Sequence, residues 1–254
     1  MVRPADRGGD GEEGRLGARA ALITGGSSGI GLAIARALGK DGYAITLSAR
    51  RADKLEAGAA QLRGEGVEVE AVPANMANED DIKALAAAHH DSAGRLDVLV
   101  NNAGVGIGAA IAETATKNLD LQLAVNLRAV YLMTRECIPL LKRAGAEHGK
   151  ALVANTASIA GKSGQGWLAA YSATKFGVVG LTQALHQEHA GDGIQATALC
   201  PGFVDTAMTG WLEGVPREEL IQPEDVAEAV RYLLRTSPAC IVPEIMFIRP
   251  GDGL

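Results

Sequence analysis

A tyrosine and a lysine stand one helical turn apart in the segment WLAAYSATKFG, Trp167 to Gly177. Residues i and i+4 share a helix face, so Tyr171 and Lys175 can point the same way. A free phenol titrates near ~10, too high for an efficient base at neutrality. An ammonium beside it favours the phenolate and lowers that value, so the two residues suit proton transfer. A helix start carrying a packed tyrosine and a surface lysine has the same spacing. The pair alone does not choose between these readings.

A second cluster lies upstream. In ALITGGSSGIGLAIARAL, Gly25, Gly26, Gly29 and Gly31 separate a short apolar run from a stretch with helical spacing. Ser27, Ser28 and Ile30 fill the loop between them. A pyrophosphate can sit on the free N–H groups of such a helix start, where the macrodipole also favours an anion. Glycine permits the tight turn and the close backbone approach. The spacing, G-x-x-x-G-x-G, differs from the G-x-G-x-x-G dinucleotide template. A glycine loop that only packs helix on strand is the plainer alternative. The strand before and the helix after favour a cofactor.

Dinucleotide folds often place an acid after the second strand for a ribose hydroxyl, or an arginine for a 2′-phosphate. Here Ala49 takes the acid's place and Arg50 and Arg51 follow. No carboxylate repels a phosphate, and arginine offers it a planar fork. This favours NADP(H), with NAD(H) as the alternative.

These groups need elements to hold them. Seven short apolar runs (AALIT, YAITLSA, VEVEAVPA, LDVLVNN, KALVANTAS, IQATALCPG and EIMFIRP) alternate with helical stretches. The helices are expected over GLAIARALGK, DKLEAGAAQLRGE, Glu79 to Ser92 behind an Asn78 cap, Thr116 to about Ala144, Tyr171 to about Ala190, and PEDVAEAVRYLLR. Pro139 is expected to disturb the end of the fourth of these. The alternation implies βαβ units and a doubly wound α/β fold with a parallel sheet buried on both faces. Residues 18–254 read as one domain. Residues 1–17, rich in glycine and charge, read as a flexible extension without a signal-peptide core.

Composition narrows the function. The chain has 254 residues, 47% hydrophobic, with net charge −6. That acidic balance argues against a nucleic-acid surface. No apolar run approaches the ~20 residues of a membrane span. Cys137, Cys200 and Cys240 form neither a disulfide framework nor a metal motif, which suits a reducing, cytoplasmic setting. No metal site is expected. His186 and His189 read as a solvated helix face, and His89 and His90 as surface groups at a helix end. Trp167, Met208 and Trp211 are balanced between packing and lining a substrate pocket. Lys162 and Arg217 read as solvated groups, and Cys200 as a buried small residue.

TGGSSGIG, NNAG at Asn101 to Gly104, Ser158 thirteen residues before Tyr171, YSATK and PGFVDTAM occur in one order at one set of spacings. Together they resemble the short-chain dehydrogenase/reductase family, in its single-domain branch, over residues 18 to about 250. The resemblance implies a Rossmann-type sheet in the order 3-2-1-4-5-6-7, a nicotinamide cofactor, and ketone or secondary-alcohol chemistry. It assigns Ser158, Tyr171, Lys175 and Asn126 to the catalytic set. Tyr171 would be the general acid or base and Lys175 would hold the ribose. Ser158 would bind the substrate oxygen, and Asn126 a water linking Lys175 to solvent.

For the cofactor, the resemblance implies the loop Gly25 to Gly31, then Asn101, Asn102, Ala103 and Gly104. Pro201, Gly202, Val204 and Thr206 would lie near the carboxamide. Asn75 replaces the family's usual adenine-side aspartate and keeps a carbonyl acceptor. The segment at about 203–222 would form a short substrate loop, and the ending EIMFIRP is similar to that of small hydroxy-acid and carbonyl reductases. A homo-oligomer, dimer or tetramer, is implied through the two long helices. The competing reading is a nucleotide-binding sensor or scaffold with weak catalysis, since fold alone does not give function.

Overall fold

The computed structural model describes residues 19–212 and 214–251. The expected extension at 1–17 lies outside the described residues. The apolar runs form seven parallel strands in one sheet, ordered β3-β2-β1-β4-β5-β6-β7. They are β1 Ala20–Thr24, β2 Ala44–Ala49, β3 Val69–Pro73, β4 Val98–Asn101, β5 Ala151–Thr156, β6 Ile194–Pro201 and β7 Glu244–Phe247. The expected fold class and strand order are both present. The strand order reverses between β1 and β4, so the connections that leave their carboxyl ends run to opposite faces of the sheet. In an open α/β sheet the crevice at such a point is where ligands bind.

Strands β1, β4, β5 and β6 are buried along their whole length. Helices cover both faces. On one side α1 (Gly29–Lys40), α2 (Ala52–Gly64) and α7 (Pro223–Arg235) bring Ile34, Leu38, Leu55, Leu62, Val226 and Val230 into one cluster. On the other, α3 (Glu79–Ala93), α5 (Ala129–His148) and α6 (Ala169–His189) contribute Leu85, Met133, Leu141 and Leu185.

The fourth helical stretch departs from expectation. It runs as α4 (Thr116–Leu123), a π-helical turn (Ala124–Arg128) and then α5, and Pro139 does not end it. Proline removes one N–H bond to the carbonyl four residues earlier. Both Pro139 and Arg135 are exposed, so water can satisfy that carbonyl. The helix instead stops at Gly149, in the left-handed region at φ 71°.

His89 is not a surface group. It is 0% exposed, its Nε2 donates to the Arg95 carbonyl at 2.9 Å, and its Nδ1 accepts from Thr46 Oγ1 at 2.7 Å. Burial lowers its pKa. The reason is its place on the inward face of α3 with Ile82, Leu85 and Ala86. Cys200 is buried as expected, and burial pushes its thiol up to about 12.

Candidate active site

The carboxyl ends of β1, β2, β4, β5 and β6 open into a cleft of about 350 Å³. Its floor begins where β1 turns into α1. Gly25 has φ 66°, and a Cβ there would sit 2.8 Å from Ala103 Cα, so only glycine lets the two loops touch. Asn102 Nδ2 ties this turn to β4 by donating to the carbonyls of Thr24 and Gly25, at 3.2 and 3.1 Å. Thr24 Oγ1 accepts from the N–H groups of Asn102 and Ala103.

Ser28 is the N-cap of α1, but its side chain makes no capping bond, and the first turn has no acid. The first N–H groups of the helix are left for a ligand, as an anion requires. Ser27, Ser28, Gly29 and Ile30 line the cleft at this point, and Gly31 packs on the turn, where a Cβ would lie 2.5 Å from the Gly25 carbonyl oxygen. Arg50 and Arg51 line its outer end, exposed. Neither side chain makes a hydrogen bond or ion pair with another described residue, which leaves both guanidinium groups available to a phosphate. Ser48 Oγ, buried beside them, also has no partner. Asn75 lines the cleft too, but its Oδ1 already accepts from Ala77 N at 3.2 Å. This donor set fits a dinucleotide with a phosphorylated ribose.

The other end of the cleft holds Ser158, Tyr171 and Lys175. Ser158 caps the short turn after β5, accepting from Ala160 N at 3.1 Å, and its hydroxyl makes a long bond, 3.4 Å, to the Pro201 carbonyl and also interacts with Tyr171. Lys175 is 4% exposed and donates to the Thr156 carbonyl at 2.7 Å. Its Nζ lies 5.5 Å from the centre of the Tyr171 ring. Pro201, Gly202, Val204 and Thr206 close the cleft from β6 onward, with Asn102, Ala103 and Gly104 opposite.

The electrostatics differ from the expectation that Lys175 lowers the phenol. Burial is the largest influence on Tyr171 and raises its pKa, with hydrogen bonding from Ser158 pulling the other way. Burial also lowers Lys175 to about 8. In the free protein the dry surroundings of both groups outweigh their mutual attraction.

Asn126 lies behind the cleft wall, in the π-helical turn. Its Oδ1 accepts from Val105 N and its Nδ2 donates to Val105 O, both at 2.8 Å, with a further bond to Thr174 Oγ1 at 3.3 Å. Its side chain therefore clamps the chain after β4. Gln122, one turn earlier, does the same by accepting from Ile107 N at 3.1 Å. Sequence reasoning missed Gln122. The signal was its spacing of four from Asn126 on one helix face.

A family model described as short chain dehydrogenase matches residues 19–213. The chain belongs to that family. A relative named putative ketoacyl reductase, from Streptomyces coelicolor, is 37% identical across 92% of this chain and 96% of its own length. Among solved structures, an alcohol dehydrogenase from the archaeon Thermococcus sibiricus, complexed with 5-hydroxy-NADP, is similar at TM-score 0.82 and 34% identity. That match covers 91% of this chain and 96% of the other. A 3-ketoacyl-(acyl-carrier-protein) reductase from Brucella melitensis, complexed with NADH, matches at TM-score 0.82 and 32% identity, covering 90% and 96%. As a short-chain dehydrogenase, the protein is an oxidoreductase.

The remaining sequence candidates resolve in this family setting. Arg217 pairs with Asp205 and Lys162 with Glu244, each at 2.9 Å, so neither is a bare charge. His189 Nδ1 lies 2.9 Å from Asp192. Met208 lines the cleft, while Trp167 and Trp211 are not among its lining residues and meet edge to face with ring centres 6.1 Å apart. No described helix is long and apolar enough to cross a membrane.

Proposed function

We propose that this protein is an NADP(H)-dependent oxidoreductase that interconverts a ketone and a secondary alcohol, with Tyr171 as general acid and base. The observation that carries the reading is the convergence of Ser158, Tyr171 and Lys175 at one end of a cleft whose other end is the uncapped start of α1. Arg50 and Arg51, with Ala49 in place of an acid, support NADP(H) over NAD(H).

When bound, the nicotinamide supplies the hydride to the carbonyl carbon. The Tyr171 hydroxyl gives its proton to the carbonyl oxygen, so that one hydride and one proton convert ketone to alcohol. Ser158 Oγ swings from its long bond to Pro201 and donates to the same oxygen as negative charge develops. Lys175 stabilises the phenolate left on Tyr171 and reaches the ribose. The raised pKa of Tyr171 keeps the proton available at neutral pH, which suits reduction. In oxidation the same residues act in reverse.

The reading includes a small-molecule substrate, a cytoplasmic setting and a homo-oligomer. Exposed Leu119, Leu123, Tyr131 and Phe176 on α4, α5 and α6 support the last of these.

The test is a carbonyl panel followed by NADPH absorbance, with Tyr171→Phe beside the wild type. The variant should bind NADPH normally and lose turnover by about a hundredfold or more. Unchanged turnover sinks the mechanism. Tight NADPH binding without turnover of any panel member moves the assignment to a nucleotide sensor on the same fold.

A further inference from the structure

We propose that Trp167 is the specificity-determining wall of the substrate site, and that it selects ketones carrying an aromatic ring. The inference deepens the oxidoreductase reading and rests on it. It starts from the chain after β4, where glycine recurs at every second position: Gly104, Gly106 and Gly108. Alternate residues of an extended chain face the same side. Asn126 and Gln122 hold the intervening Val105 and Ile107 by their backbones. Three alternate steps of this segment therefore carry no side chain, and Gly104 and Val105 line the cleft.

Each step faces a different group. A Cβ on Gly104 would lie 3.4 Å from Asn126 Oδ1 and 3.8 Å from Lys175 Nζ, and one on Gly106 would lie 3.9 Å from Tyr171 Cε2 and 3.7 Å from Met208 Sδ. At Gly108 a Cβ would run into the Trp167 ring, 2.3 to 2.4 Å from three consecutive ring carbons. Distances that nearly equal put the glycine against the face of the ring rather than its edge. The track thus leads from the lysine, past the phenol, to an indole seated on a glycine.

Trp167 is held there against its own backbone preference. Its φ is 66°, the one positive value at a non-glycine position among the described residues. Bulky residues avoid that region, and such strain collects at functional sites. The Trp167 carbonyl accepts from Ala109 N at 2.8 Å, which locks it to the glycine track. Yet the side chain is 57% exposed, so core packing does not explain the strain.

The surroundings indicate a flat partner. Trp211, 55% exposed, meets Trp167 edge to face at 6.1 Å, and Phe203 meets Trp211 in the same way at 6.1 Å. An aromatic substituent on a ketone bound at Tyr171 would extend this series of ring contacts, which add to simple apolar burial. Met208, flexible and adjacent, can adapt to its outline.

The test compares acetophenone with 2-butanone on the wild type, Trp167→Gly, Trp167→Leu and Trp167→Phe, with NADPH. For Trp167→Gly, kcat/KM for acetophenone should fall at least tenfold, with 2-butanone within twofold and NADPH affinity unchanged. Glycine relieves the positive φ, so this variant should fold at least as well as the wild type. Trp167→Phe should recover most of the acetophenone activity and Trp167→Leu should not. Equal losses on both ketones, no loss on acetophenone, or full recovery by leucine overturns the proposal. A wild type that reduces neither ketone, nor any other member of the carbonyl panel, overturns the ketone-reductase reading instead. Acetophenone binding to the NADPH-loaded proteins, measured by calorimetry, then decides Trp167 by itself: weaker binding to Trp167→Gly supports the wall, and equal binding overturns it.

Discussion

Replacing Lys175 with methionine should stabilise the fold while ending turnover. The ammonium is 4% exposed, and burial brings its pKa from 10.5 to about 8. At 1.36 kcal/mol per pH unit, holding that charge at neutral pH costs about 3 kcal/mol. Against this stands the bond from Nζ to the Thr156 carbonyl at 2.7 Å. Stranding that carbonyl costs about 1–3 kcal/mol. The charge outweighs the bond, and methionine of similar length fills the space. The variant should gain about 1 kcal/mol near neutral pH, or a few degrees in Tm for a chain of this size.

The pH dependence separates this cause from simple repacking. The folded value lies below the unfolded one, so the unfolded chain binds the extra proton between about 8 and 10.5. Wild-type stability from this group therefore rises with pH across that window. The methionine variant lacks that rise, so its advantage shrinks above pH 8 and reverses as the bond loss alone remains. Tyr171 and Cys200, both raised by burial, weaken both proteins at alkaline pH, and the Lys175 charge is the smallest influence on Cys200, so the difference chiefly reports Lys175. Urea denaturation without cofactor, at neutral and alkaline pH, is the assay. A variant less stable than wild type at neutral pH, or a gap that does not change with pH, refutes the reasoning.

Three further outcomes follow from the same geometry. Arg50→Ala with Arg51→Ala should weaken NADPH binding about tenfold, given two exposed charge-assisted contacts, and leave NADH unchanged; parallel losses for both cofactors would remove the phosphate role. Asn126→Ala strips both backbone partners from Val105 and should cost about 2–3 kcal/mol in urea denaturation, and a cost under about 0.5 kcal/mol would show the clamp to be slack. His89 is held neutral, its folded pKa below 6.5, so protonation of the unfolded chain erodes stability as pH falls through that value. His89→Gln should flatten the acid side of the stability profile, and an unchanged slope would assign it to other groups.

The local patterns determined a great deal. Alternating apolar runs and helical spacings fixed a parallel sheet buried on both faces, because those periods reflect burial directly. Glycines between a strand and a helix, and a phenol four residues before a lysine, were legible because both chemistries act across a single turn. His89 was also legible in principle, since its spacing from Ile82, Leu85 and Ala86 matches a buried helix face.

Tertiary structure decided what depends on distant partners. It placed Ser158 against Tyr171 and supplied the Thr156 carbonyl to Lys175, groups brought together by β5 and α6. Whether the phenol rises or falls in pKa rested on how much water the assembled cleft excludes, which spacing along a helix does not contain. The π-helical turn aims Asn126, and α4 before it Gln122, at a loop fifteen or more residues earlier in the chain. Trp167 reads as an ordinary apolar residue in its segment. Only the folded chain sets it at φ 66° on Gly108, because the strain is held by contacts between loops that the sequence keeps far apart.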